Sequence, residues 1–132
     1  MADYKTHLNA GAIAGTIAGA GLYLIQYINE KEKNAEHKFK WDKFFLSSLA
    51  GCALGALTGI AADKLEPPLN PNHRGFFHSY SIWILAGLAV LEVLSGNKNK
   101  IRKNLAVIGF AGYSSHLLLD SLTPKSLPII GI

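Results

Sequence analysis

Eight residues carry most of the chemistry this chain can do: His7, Asp63, Glu66, His73, Arg74, His78, His116 and Asp120. Asp63 and Glu66 are three residues apart, and His116 and Asp120 are four apart, so on helices each pair shares a face. His73, Arg74 and His78 lie between those pairs, in "NHRGFFHSYS". Neutral imidazole nitrogens with carboxylate oxygens suit zinc, and also manganese or iron. An i,i+4 His–Asp pair can grip an ion from two positions on one helix. Seven possible ligands exceed one tetrahedral shell, so two ions are expected, with Asp120 as a bridging carboxylate. Two such ions can activate water and clamp both oxygens of a displacement. Arg74, beside Gly75, can offer a planar fork to a phosphate, and the glycine lets the backbone approach closely. Glu66 is then the expected general base, and His78 a ligand or the acid for the leaving group. Each histidine alone reads better as an ordinary boundary side chain, so the grouping rests on the elements that bring these residues together.

Those elements are four apolar runs: Leu8–Ile28, Phe44–Ala62, Ser79–Gly96 and Leu105–Leu119. The first two hold no charge over 21 and 19 residues. A spanning helix needs roughly 20 apolar residues. The first two runs meet that length, the third nearly does, and the fourth is short and contains His116. None alternates as a strand would. Gly11, Gly15 and Gly19 repeat every four residues, as do Gly51, Gly55 and Gly59. In water each would penalise a helix by roughly 1 kcal/mol, whereas in a membrane they let helix backbones touch. These features predict one all-α domain over residues 1–132, a membrane-embedded bundle of about four helices with a polar metal site at one end. A soluble α-domain with Ala/Gly-rich buried helices is the competing expectation.

Charge gives the bundle a direction. Lys31, Lys33, Lys38, Lys40 and Lys43 are expected in one loop, and Lys98, Lys100, Arg102 and Lys103 in another. The positive-inside tendency puts both in the cytoplasm. His7, Asp63, Glu66, His73, His78, His116 and Asp120 then collect on the outer face, while His37 stays among the lysines as a solvated side chain. Pro67 and Pro68 are expected to end the second helix. Glu92 is expected to reach the cytoplasmic interface. The aromatic residues keep to the apolar runs and do not interleave with the lysines, which argues against nucleic acid as a partner. Cys52 is alone, so no intrachain disulfide or cysteine zinc ribbon can form. The sequence shows no cleavable signal pattern.

Two segments, "DKLEPPLNPNHRGFFHS" (Asp63 to Ser79) and "GYSSHLLLDSLTPKSLPIIG" (Gly112 to Gly131), resemble the YdjM family. That family is described as LexA-regulated, membrane-bound, metal-dependent hydrolases. It is distantly similar to zinc-dependent phospholipase C and P1-type nucleases, all-α enzymes with zinc held by His and Asp. The resemblance implies His7, Asp63, His73, His116 and Asp120 as metal ligands. Ala62 departs from the proline often found before the acid, and the chain lacks the full ligand set of a three-zinc enzyme. Two metals are therefore the inference carried over.

The function expected is hydrolysis of a phosphoester, such as a membrane phospholipid, by an inner-membrane, multi-pass protein with its site facing outward. A homo-oligomer is compatible with the sequence. The alternative is a small non-catalytic scaffold or partner-binding protein whose metal only staples the helices. A transporter fits less well, because its ionisable residues should gather near the bilayer midplane.

Overall fold

The structure, a computed structural model, describes residues 3–67, 75–96, 98–123 and 126–130. Among these residues every regular element is helical: α1 (Tyr4–Lys33), α2 (Trp41–Gly59), the short α3 (Ala61–Leu65), a 3₁₀ turn (Phe76–His78), α4 (Tyr80–Gly96) and α5 (Lys100–Ser121). Helix α1 starts where Asp3 Oδ1 accepts from the Thr6 amide at 2.8 Å, and α5 starts where Asn99 Oδ1 accepts from the Ile101 amide at 3.0 Å.

The glycine rows form the packing axis. Gly11, Gly15 and Gly19 of α1 are buried against Gly51, Gly55 and Gly59 of α2. A Cβ on Gly15 would strike the Gly51 carbonyl oxygen and come within 2.7 Å of the Gly55 Cα, so only glycine fits. Ser47 Oγ donates across this seam to the Gly19 carbonyl at 2.7 Å. On the other side of α2, a Cβ on Gly112 of α5 would meet the Gly55 Cα at 2.8 Å. Helix α2 is thus gripped between α1 and α5, while α4 packs on α5.

The solvent preference of this bundle is inverted. The buried apolar side chains among the described residues are Ile60, Ala62, Ile108, Leu117 and Leu127, alongside buried His7, His78, Ser79, His116 and Asp120. Ile13, Ile17, Leu46, Leu49, Leu57, Ile84 and Leu91 are all more than 60% exposed. In water that surface would be unfavourable over most of the molecule, whereas in hydrocarbon it costs nothing. This disfavours the soluble expectation. Helix α1 and the stretch Trp41–Leu65 are long and apolar enough to cross a membrane, and α4 is a shorter apolar helix.

Two boundaries differ from those expected. Lys31 and Lys33 are the last turn of α1, where their charge faces the helix C-terminus favourably, and Lys43 belongs to α2. The second helix also breaks earlier than Pro67, at a turn on Ile60 (φ −108°, ψ 0°), before α3 resumes. At the far end from α3, Tyr23, Tyr27, Phe39, Trp41, Phe44 and Phe45 form an edge-to-face cluster. Amphipathic rings of this kind favour a membrane–water interface. At the other end, the amides of Tyr80 and Ser81, unsatisfied at the start of α4, donate to the carbonyls of Pro128 and Ile129 at 3.1 and 3.2 Å.

Candidate metal centre

The helix ends opposite the aromatic cluster converge. His7 comes from the first turns of α1, Asp63 from α3, Glu66 from the residue capping α3, His78 from the 3₁₀ turn, and His116 and Asp120 from the last turns of α5. Seating Gly11 on Gly59 draws the start of α1 against the end of α2, which buries His7. The four-residue spacing of His116 and Asp120 turns both inward, their Nε2 and Oδ2 atoms 3.4 Å apart.

The hydrogen bonds fix the tautomers. His116 Nδ1 lies 2.7 Å from the Gly59 carbonyl oxygen, which only accepts, so Nδ1 carries the hydrogen. His78 Nδ1 lies 2.9 Å from Glu66 Oε2, and a carboxylate likewise only accepts. In a neutral His116 the free lone pair is therefore on Nε2, and in a neutral His78 the shorter contact to Glu66, against 3.3 Å from Nε2 to Asp63 Oδ1, favours the same assignment. These two Nε2 atoms are 3.1 Å apart. Asp63 Oδ1 lies 3.3 Å from His78 Nε2 and 3.7 Å from His116 Nε2. Asp120 Oδ2 lies 3.8 and 3.4 Å from the same two atoms. Two lone pairs and two carboxylates facing one another repel unless a cation or a proton lies between them.

The donor set fits a divalent ion. Bond lengths of about 2.0–2.2 Å to N and O ligands imply ligand–ligand edges of about 3.3–3.6 Å in a tetrahedral shell. The five separations above, from 3.1 to 3.8 Å, bracket that range. His7 adds a second indication. Its ring stacks on His116 at 3.8 Å between centroids, Nε2 is 3.6 Å from Asp120 Oδ1, and the buried Nδ1 has no hydrogen-bond partner. A buried imidazole nitrogen left without a partner is costly and calls for a ligand. The described residues outline two overlapping triplets, His7–Asp63–His116 and His78–His116–Asp120. His116 belongs to both, yet its single free lone pair can serve one ion only.

Burial is uneven around the cluster. His78 and His116 are sealed, whereas the side chains of Asp63 and Glu66 keep 15% and 18% of their exposure. Burial pushes the His78 pKa down, but its hydrogen bonds to Asp63 and Glu66 and the nearby Asp120 charge outweigh that, and the net shift is upward. Protonation of His78 would place a positive charge beside these carboxylates.

Of the residues singled out from sequence, His7, Asp63, Glu66, His78, His116 and Asp120 meet here. His73 and Arg74 lie outside the described residues. His78 sits among the ligand atoms, and Glu66 stands behind it, also accepting from the Phe77 amide at 3.1 Å. Of the two roles expected for His78, ligand or acid, its place among these atoms suits the ligand, and Glu66, expected as the base, faces the His78 ring. His37 lies near Tyr27 at the other end, apart from the cluster. Two contributors were missed. The Gly59 carbonyl orients His116, and the Tyr113 hydroxyl donates to the Phe77 carbonyl, steadying the turn that carries His78. Tyr113 is three residues before His116 on the same helical face, which was a usable signal.

The sequence profile of a family of inner-membrane proteins, the YdjM inner membrane protein family, matches residues 1–130. No curated protein and no solved structure matches the chain.

Proposed function

Since the chain belongs to the YdjM inner membrane protein family, we propose that it is a membrane-bound, metal-dependent hydrolase acting on a phosphoester, with membrane phospholipid as the substrate class. The observation that carries this reading is the convergence of the His78 and His116 Nε2 lone pairs with Asp63 and Asp120, sealed at the histidines and Asp120 and partly exposed at Asp63. A structural ion has a closed shell, whereas a catalytic one keeps a position open. The partial exposure of Asp63 supports the second case.

In this proposal His78, His116 and Asp120 hold a divalent ion, zinc first, with manganese and iron as alternatives. Any second ion would draw on His7 and Asp63. When bound, the ion supplies Lewis acidity and lowers the pKa of nearby water. The chain's own residues do the rest. Glu66 fixes the His78 tautomer through Nδ1 and keeps its Nε2 lone pair aimed inward, a carboxylate–histidine pairing that commonly supports metal ligands. The Gly59 carbonyl does the same for His116. Asp63, partly exposed and 3.3 Å from His78 Nε2, is placed to accept a proton from an incoming water. Hydrolysis joins the water oxygen to phosphorus, breaks the ester P–O bond and returns a proton to the departing alcohol.

Bundle dimensions support a site at the bilayer surface. His7 and Tyr27 are 20 residues apart on α1, about 30 Å of helix, which matches a hydrocarbon core of about 30 Å. With the aromatic and lysine-rich end at the cytoplasmic interface, the cluster reaches the outer one in a multi-pass arrangement.

The deciding experiment loads the purified protein in nanodiscs with zinc or manganese and offers phospholipids beside soluble phosphoesters. Turnover that disappears with EDTA and in His116→Ala supports the hydrolase. An inert but metal-loaded wild type, which unfolds on chelation, would make the protein a scaffold with a structural ion.

A further inference from the structure

The helices α4 and α5 that carry the chain from His78 and present His116 also leave an apolar groove between them. Its main chamber, about 490 Å³, is lined by Ile84, Gly87, Leu88, Leu91, Val107 and Phe110, with almost no polar surface. A second chamber of about 310 Å³ continues it to Trp83 and Ser114. These volumes fall in the range of small-molecule sites, roughly 300–1,000 Å³. At its upper end the Trp83 Nε1–H donates to Ser114 Oγ at 2.8 Å. Ser114 is two residues from His116, and Trp83 is five from His78. From Ser114 to Val107 the groove runs seven residues of α5, about 10 Å, away from the metal centre and into the bundle's apolar belt.

Gly87 makes this space. The glycines of the α1–α2 seam are required by backbone contact, because an added Cβ would strike a carbonyl or Cα of the facing helix. A Cβ on Gly87 would meet only the Phe110 ring, at 3.3 Å. No backbone approaches it. A mid-helix glycine is unfavourable for α4 itself, and what it leaves here is room.

We propose that this groove holds one hydrocarbon chain of a membrane lipid. Three observations select that occupant. The groove wall is almost wholly carbon in its main chamber. The chain belongs to an inner-membrane family, so acyl chains surround this face. The groove's polar contact, Trp83 to Ser114, also lies at its end towards the cluster, about 3 Å from His116 along the α5 axis though on the opposite face of that helix, as suits an amphiphile with a polar head and an apolar tail. The role of the occupant as substrate rests on the hydrolase reading above, whereas its binding does not.

The test uses the full chain in nanodiscs containing phosphatidylethanolamine with a mid-chain diazirine. On illumination, wild type should crosslink chiefly within residues 84–91 and 107–110. Gly87→Leu fills the groove from α4 and Val107→Phe fills it from α5. Each should reduce that labelling at least tenfold while zinc content stays at the wild-type level, which reports a folded bundle. Labelling spread evenly over the exposed faces of α1, α2 and α4 in wild type would overturn the proposal. So would labelling unchanged in both filled variants, or chain-to-chain crosslinks at Leu88 that show a second copy seated there. Activity forms a separate arm. If the occupant is substrate, the filled variants lose long-chain phospholipid turnover at least tenfold and keep turnover of a water-soluble phosphodiester. Equal loss on both substrates would assign the groove to a structural lipid. If wild type hydrolyses neither while labelling is localised, the hydrolase reading fails and the groove stands.

Discussion

The His116 Nδ1–H donates to the carbonyl oxygen of Gly59 at 2.7 Å, so the last glycine of the α2 row also aims a candidate ligand. Gly59 in turn seats Gly11, about one helical turn from Gly15 at the centre of the helix seam. Helix packing and ligand geometry are therefore one problem in this protein, and damage to the first should appear in the second.

Gly15→Ala places a methyl group against the Gly51 carbonyl, where no flexible side chain can give way. Overpacking of this kind costs about 1–3 kcal/mol. The loss should show as earlier unfolding in a thermal or SDS titration in detergent, accompanied by weaker metal binding. Gly21→Ala is the control, since nothing lies within 4 Å of its added Cβ, and it should be neutral or gain up to about 1 kcal/mol of helix stability. Equal behaviour of the two variants would contradict the glycine seam.

Metal content should track the cluster. His116→Ala and Asp120→Ala should each lose zinc by elemental analysis, and His37→Ala should retain it. Glu66→Ala removes the acceptor that orients His78 and should weaken affinity about 10–100-fold, the usual cost of losing such a partner. Unchanged affinity in Glu66→Ala would deny Glu66 that role.

Protons and ions compete for His78. Its folded pKa is raised, so the stabilisation from its protonated form is fully present below the ordinary value near 6.5 and lost as pH rises through the folded pKa. The metal-free protein should accordingly melt at higher temperature at mildly acid pH than at alkaline pH, as far as His78 governs it. An ion needs the neutral ring, so zinc affinity should fall on acidification, beginning above pH ~6.5. Melting curves against pH, with EDTA and with zinc, should slope in opposite directions. Parallel slopes would remove His78 from the site.

Orientation can be read with a membrane-impermeant maleimide on intact cells, in a Cys52→Ala background. Lys5→Cys, at the end bearing the cluster, should label. Asn34→Cys and Lys98→Cys, both exposed at the aromatic end or its α4–α5 counterpart, should label only after the membrane is opened. The reverse pattern would put the site in the cytoplasm.

Much of this arrangement was legible in the sequence because its signals are periodic. The four-residue glycine rows foretell a helix seam, and the His116–Asp120 spacing foretells two groups on one face. The turn at Ile60 was not legible, because "LTGIAAD" is mostly apolar and holds no proline to mark a break. The chain bends there while the Gly59 carbonyl meets His116, 57 residues away. The Glu66–His78 bond was hidden for a related reason. Their roles depend on which ring nitrogen faces which acceptor, and spacing alone does not carry that information.

The α1–α2 seam has one more consequence. Its contacts are made by backbone against backbone in the apolar belt, and the connecting residues between Lys33 and Trp41 touch α1 beyond its glycine row, through the Phe39 ring on Tyr23 and Tyr27 and the Lys40 amide that donates to the Tyr23 hydroxyl. Helices that recognise each other in this way associate as independently inserted pieces. Covalent continuity between α1 and the rest is then dispensable. A gene divided at the α1–α2 linker, with both halves inserted into one membrane, would still encode a bundle in which His7 reaches its place beside His116.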